Sequence, residues 1–250
     1  MSAAVPTLRL DRLLGNMGYG SRKDIQADVK FGRITLDGAP VTDAGLHVPV
    51  SRALCDRLQI AGARLDPPPG LALAMHKPLG ATCSHKEAGR LVYELLPPRW
   101  RDRKPAISTI GRLDKETSGL LLLTDDGALL HRVIAPKSNV AKRYHVTLAR
   151  PLKGDEGARL ASGTLLLDGE DKPLLPVSFE IVTGASESEP QVRVTLTEGR
   201  YHQVRRMFAA LGNHVSALHR DRIGGLSLPL GLEAGHYRVL EPVDIALIFG

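Results

Sequence analysis

GRLDKETSGLLLLTDDG, residues 111–127, divides into two halves of opposite character. Leu120 to Leu123, followed by Thr124, Asp125, Asp126 and Gly127, reads as a short, fully buried strand closed by an Asp-Gly turn. The half before it is polar, flanked by glycines, and carries Asp114. A buried strand offers the preceding loop a rigid edge, and loops held in that way are where working side chains sit. Asp114 is therefore the first candidate site residue, although a lone loop aspartate also has an ordinary use in capping a turn or helix.

Downstream, KRYHVTL (142–148) and QVRVTL (191–196) alternate with period two, so that Tyr144, Val146 and Leu148 share one face and Val192, Val194 and Leu196 another. Both segments are expected to be strands. In EGRYHQVRRMFAALGNH (198–214) Val204, Met207, Phe208 and Leu211 form one stripe, which predicts a helix ended by Gly212. Arg205 lies beside that stripe and can turn inward. Taken singly, Tyr144 is an ordinary strand aromatic, and Arg200, Arg205 and Arg206 are the wet side of an amphipathic helix.

Upstream, Leu10, Leu13, Leu14 and Met17 mark a first short helix, broken at Gly18 and Gly20. Ser21 with Asp24 forms a capping-box pattern that opens a second helix with Ile25 and Val29 on its apolar face and Arg22 and Lys23 in its first turn. Cations there oppose the helix dipole, so they are either solvated or aimed at an anion. GRITLDGAPV (32–41) reads as a hairpin turning at Asp37-Gly38. DPPPG (66–70) is a stiff connector, which divides the chain into residues 1–66, a linker at 67–70, and a second domain over 71–250. Weaker breaks at 151–157 and 184–190 are expected to be loops of the second domain.

Composition narrows the class. At 250 residues and 43% hydrophobic content the chain can bury a large core plus a small accessory one. No apolar run is long enough to cross a bilayer, and the first residues lack a secretory pattern, so no membrane association and a cytoplasmic location are expected. Cys55 and Cys83 form no paired motif, and neither a disulfide framework nor a metal site is expected. The net charge of +6 favours a polyanionic partner, and much of it is local: Arg200 to Arg222 holds five arginines against one aspartate.

The order helix, helix, hairpin in RLDRLLGNMGYGSRKDIQADVKFGRITLDG resembles the S4 RNA-binding domain, over about residues 7–55. That resemblance implies phosphate contacts for Arg22, Lys23 and Arg33. GRLDKETSGLLLLTDDG, KRYHVTL and EGRYHQVRRMFAALGNHVSALHRDRIGG, together with the KPLG segment at Lys77 to Gly80 and HYRVL near the C-terminus, resemble the pseudouridine synthases in the same order. LHRDRIGGLSL is most similar to the branch acting on small-subunit (16S) ribosomal RNA, while GRLDKETSGL is shared with branches acting on 23S RNA.

The resemblance implies an α+β fold: a small S4-like α/β domain, then a catalytic domain on a mixed, mainly antiparallel sheet with flanking helices. It implies Asp114, Tyr144 and Arg205 as catalytic residues, with Asp114 the reacting carboxylate, Tyr144 stacking on the base and Arg205 ion-paired to Asp114. Leu218 becomes an apolar wall, and Arg112 fills the space left by a flipped base. Arg200 and Arg206 join them as RNA contacts. Converting uridine to pseudouridine breaks the bond from ribose C1′ to N1 and remakes it to C5 with no net redox change, so no cofactor is expected. The expected partner is ribosomal RNA or an assembling small subunit, met by a monomer. Two rivals stand beside this reading. One is a non-catalytic RNA-binding assembly protein; the other is a glycosidase, which needs a second carboxylate about 5–10 Å from Asp114, with Glu116, Asp125 and Asp126 nearby in sequence.

Overall fold

The structure, a computed structural model, describes residues 5–84, 89–182, 184 and 186–250. The expected break at 184–190 lies partly outside the described residues. The chain is mixed α+β and separates into two compact units. The first takes in the described residues of Met1–Ala72 together with Leu96–Ser108 and Thr124–Gly127; the second holds Leu73–Leu95, Thr109–Leu123 and Ala128–Gly250.

The first unit runs β1 (Thr7–Arg9), α1 (Leu10–Asn16), α2 (Arg22–Lys30), β2 (Ile34–Leu36), β3 (Ala39–Pro40), β4 (His47–Pro49), α3 (Ala53–Arg57), β5 (Leu58–Ile60) and β6 (Ala63–Arg64). Leu10, Leu13, Leu14, Met17 and Ile25 are fully buried in one cluster with Ile34 and Leu58, as their helical spacing predicts. Ser21 and Asp24 form the reciprocal capping box, and β2 turns into β3 through Asp37 and Gly38, both left-handed. Arg22 and Lys23 are exposed at the start of α2. Arg33 donates to Asp28 at 2.7 Å and lies 5.2 Å from the centre of the Phe31 ring.

Residues 66–70 are held inside this unit by pieces distant in sequence. The buried Asp125 carboxylate accepts from the Gly70 and Leu71 amides, each at 2.8 Å, and from the Arg103 guanidinium at 2.8 and 3.2 Å. Arg103 also donates to the Pro67 carbonyl, at 2.9 Å. The Asp-Gly turn expected after Leu123 is accordingly a strand-to-helix junction. Thr124 ends the strand, Asp125 turns inward, and a helix begins at Gly127. A polar residue after a strand reads as a turn when nothing in the sequence announces a buried partner.

The remaining elements are β7 (Ala72–Lys77), β8 (Ser108–Ile110), β9 (Ser118–Thr124), α4 (Gly127–Ile134), β10 (Lys142–Leu148), α5 (Glu156–Ala161), β11 (Ser178–Ile181), β12 (Gln191–Leu196), α6 (Gln203–Ala210), β13 (Val215–Ile223), β14 (Leu226–Ser227), β15 (Tyr237–Val239) and α7 (Pro242–Leu247). Their strands form one sheet in the order β11-β12-β10-β13-β9-β7-β15, with β8 on β9 and β14 on β13. The pairings through β10, β12 and β13 are antiparallel, whereas β13 meets β9 in parallel. Leu120 to Leu123 are buried, as expected of a central strand, and Tyr144, Val146 and Leu148 share the buried face of β10. The helix α5 starts within the loop expected at 151–157. Among the described residues, no helix is long and apolar enough to cross a membrane.

Candidate active site

Asp114 lies between β8 and β9, in a loop fastened from three directions. The Lys77 ammonium, fully buried at the end of β7, donates to the carbonyls of Thr117 (2.8 Å), Pro78 (3.1 Å) and Lys115 (3.4 Å). Burial pushes its pKa below the usual lysine range, partly opposed by Cys83, Asp114 and Glu116. The Gly80 amide donates to Lys115 O at 2.9 Å, and the Cys83 thiol, its pKa raised by burial, donates to Leu113 O at 3.4 Å. Lys77 thus gives the KPLG segment a physical task that its spacing alone does not announce.

Gly119 sets the loop against β13. It pairs with Arg220 at φ +111°, and a Cβ there would lie 2.1 Å from Arg220 O. Only glycine permits that approach. On the other edge of β13, a register shift between Arg143 and Tyr144 brings Tyr144 opposite Arg220. Arg220 is 3% exposed; it donates to Leu120 O at 2.9 Å and reaches the Tyr144 hydroxyl at 3.5 Å. Its second terminal nitrogen is buried without a hydrogen-bond partner.

Around Asp114 opens a cavity of about 650 Å³ whose walls include Tyr144, Leu218, Arg112, Lys142 and Arg220. Asp114 is the single carboxylate among the described residues lining it, against six lysines and arginines. Burial, and then the nearby Arg220, lower the Lys142 pKa. A lone anion in a cationic, partly apolar recess suits a reaction on an anionic polymer that needs one carboxylate. It does not suit a glycosidase. Of the carboxylates considered for that role, Asp125 is spent on Arg103, and neither Glu116 nor Asp126 lines this cavity.

The side chain beside Asp114 differs from expectation. Arg205, at the start of α6, donates to Val215 O at 3.1 Å and to Glu116 O at 2.8 Å, so it clasps the Asp114 loop to the start of β13. The side chain that meets the Asp114 carboxylate is His202, with Nε2 3.4 Å from Oδ1. Spacing places both residues at the head of one helix, and only backbone geometry decides which reaches the carboxylate: His202 precedes the helix in the left-handed region, at φ +47°. Arg200 and Arg206 are also committed inside the protein. Arg200 donates to Lys172 O, Pro173 O and Glu198, and Arg206 to Glu170 and Asp168 O. Their task here is to hold the 168–173 segment, although Arg200 still lines the cavity. Arg112 is exposed at the cavity wall. Sequence reasoning singled out neither His202, Arg220 nor Lys142.

Arg205→Lys keeps the charge but cannot bridge two carbonyls with a planar fork. A slackened loop misplaces Asp114, so the single-turnover rate should fall by about 10²-fold, the order of loss for an ångström of misplacement. A near-wild-type rate would show that the clasp does not position the loop.

The model of the family described as RNA pseudouridylate synthase matches residues 72–210, which hold Asp114, Tyr144 and Arg205. Two relatives, each described as ribosomal small subunit pseudouridine synthase A, align over nearly the whole chain. The one from Vibrio cholerae serotype O1 is 38% identical over 242 residues, covering 97% of this chain and 100% of the relative. The one from Escherichia coli (strain K12) is 36% identical over 248 residues, covering 96% and 100%. A crystal structure described as a pseudouridylate synthase superposes with a TM-score of 0.66 at 33% identity, covering 96% of this chain and 99% of the other. With the family match reaching across the lone carboxylate and its cationic cavity, the chain belongs to the RNA pseudouridylate synthase family.

Proposed function

We propose that the protein converts one uridine of small-subunit (16S) ribosomal RNA to pseudouridine, with Asp114 as the reacting carboxylate. The observation that carries the reading is the cavity itself, which among its described residues sets one carboxylate, Asp114, and the Tyr144 ring among cations. The match to two small-subunit enzymes over almost the whole chain supports the choice of RNA. The reaction breaks C1′–N1, turns the base and closes C1′–C5; C5 gives up its proton and N1 gains one. Asp114 meets the ribose or the base. Tyr144 stacks on the uracil, and its hydroxyl, held near Arg220, is available to the C5 proton. Leu218 walls the base from water, which protects a reactive intermediate. Flipping a base out of its stack costs a few kcal/mol, and the exposed Arg112 offsets this by stacking in the vacated space. Arg205 acts on Asp114 through the loop.

The first unit supplies S4-like RNA binding, and the enzyme works as a cytoplasmic monomer on ribosomal RNA or the assembling small subunit. Arg22 and Lys23 anchor phosphates from the exposed first turn of α2. Replacing both with alanine should flatten the dependence of log affinity on log salt by about one to two units, at roughly 0.7–0.9 per lost contact. The single-turnover rate at saturating RNA should hold, because anchoring shared by ground and transition states leaves the chemical step alone. An unchanged slope would remove the phosphate contacts. The substrate is tested by mapping pseudouridines in ribosomal RNA from cells with and without the gene. One 16S site should disappear; loss of a 23S site, or of none, would overturn the proposed substrate.

A further inference from the structure

The turn leading into α6 carries an aromatic side chain for which the chemistry above has no use. Tyr201 is 73% exposed and lines the cavity that holds Asp114. A single exposed aromatic on a protein surface is ordinary, but this one is backed. Its ring lies on that of His202 with centroids 3.9 Å apart and planes 15° from parallel. His202 in turn points Nε2 at Asp114 Oδ1, 3.4 Å away. Neighbouring residues bring their rings face to face here because His202 takes left-handed angles, φ +47° and ψ +34°, which cost residues other than glycine free energy and cluster at ligand sites.

The turn is locked on both sides. Gln203, almost fully buried, accepts the Arg200 amide at 2.8 Å and donates to Glu198 at 2.9 Å, while Arg206 reaches the Tyr201 carbonyl at 3.3 Å. One face of the tyrosine is therefore covered by a fixed imidazole, and the ring stands exposed at the cavity wall. Flat aromatic faces held rigidly beside cations are how proteins seat unstacked bases without reading their identity.

We infer that Tyr201, stacked on His202, is a subsite for the nucleobase adjacent to the target uridine. The inference rests on RNA being the substrate, as proposed above. A base flipped into the cavity leaves its neighbour with one stacking face uncovered, and Tyr201 covers it. The resulting column of base, Tyr201 and His202 ends on the Asp114 carboxylate, so a seated neighbour also braces the imidazole that contacts the reacting group.

The test uses the full chain and a short 16S hairpin labelled with tritium at uridine C5, whose release reports the reaction. Affinity and single-turnover rate are measured for wild type, Tyr201→Ala and Tyr201→Phe, on the intact hairpin and on hairpins made abasic 5′ or 3′ of the target. Tyr201→Ala should weaken binding by about 5- to 140-fold, the range for losing one base–aromatic stack. Tyr201→Phe, which keeps the ring, should remain within about threefold on the same scale. At one of the two neighbours, base removal should cost wild type a comparable factor and cost Tyr201→Ala almost nothing more, because both changes delete the same contact. Independent, multiplying losses at both neighbours would overturn the subsite. So would wild-type affinity in Tyr201→Ala, a loss in Phe equal to that in Ala, or an effect confined to the rate. Failure of the underlying reading would look different, since wild-type protein would then release no tritium from the intact hairpin.

Discussion

Asp114→Asn should abolish isomerisation, lowering the single-turnover rate by more than about 10³-fold, or over about 4 kcal/mol of transition-state stabilisation. The amide keeps the shape of the side chain and removes the only carboxylate among the described residues that line the cavity. Folding should scarcely notice. About a third of the Asp114 side chain is exposed, and the His202 imidazole that meets it at 3.4 Å is equally exposed, an arrangement worth less than about 1 kcal/mol. RNA affinity should also hold, because the cations lining the cavity remain. Release of tritium from C5-labelled RNA, measured beside a urea denaturation curve, checks both halves. Substantial turnover by the verified variant would remove Asp114 from the chemistry.

Eleven residues further on, removing the carboxylate should act in the opposite way. Asp125 and Arg103 are both 1% exposed at the side chain and meet at 2.8 Å, and Asp125 also accepts the Gly70 and Leu71 amides. Removing one member of a buried pair strands the other charge, at a cost of about 3–5 kcal/mol. Asp125→Ala should therefore lower Tm by about 10 °C, taking roughly 2–4 °C per kcal/mol for a chain of this size. Asp125→Asn should lie between it and wild type, since its oxygen still accepts the two amides while the charge on Arg103 goes unmatched. Arg103→Met should also destabilise, by leaving the carboxylate with amides alone. A Tm shift under about 2 °C in Asp125→Ala would mean that water or rearrangement satisfies the stranded guanidinium.

This contrast marks where the sequence stops being legible. Periodicity predicts β10 over 142–148 and β12 over 191–196 with the bounds that the structure has. The Ser21–Asp24 box, the Asp37-Gly38 hairpin and the halt of α6 before Gly212 are equally readable. Each is a local property: alternation, a cap two or three residues away, or a backbone angle that one residue type favours. The resemblance to a known family, carried by quoted motifs, brought Asp114, Tyr144 and Leu218 to what proves to be one cavity.

The fate of individual charges was not readable, because a charge is defined by its partners and those lie far along the chain. Asp114 and Asp125 sit in one quoted stretch, yet one faces a cavity and the other is neutralised by an arginine 22 positions away. Arg200, Arg205 and Arg206 read by spacing as the wet side of a helix, and in the structure each also holds a distant backbone segment. His202 reaches Asp114 through a left-handed turn, and Arg220 meets Tyr144 through a register shift. Most of the secondary structure follows from interactions within a few residues and is legible in the sequence, whereas the junction at Asp125 depends on a distant arginine. Which side chains meet across β9, β10 and β13, and so which carboxylate is left to react, is settled only when long-range pairing closes the sheet.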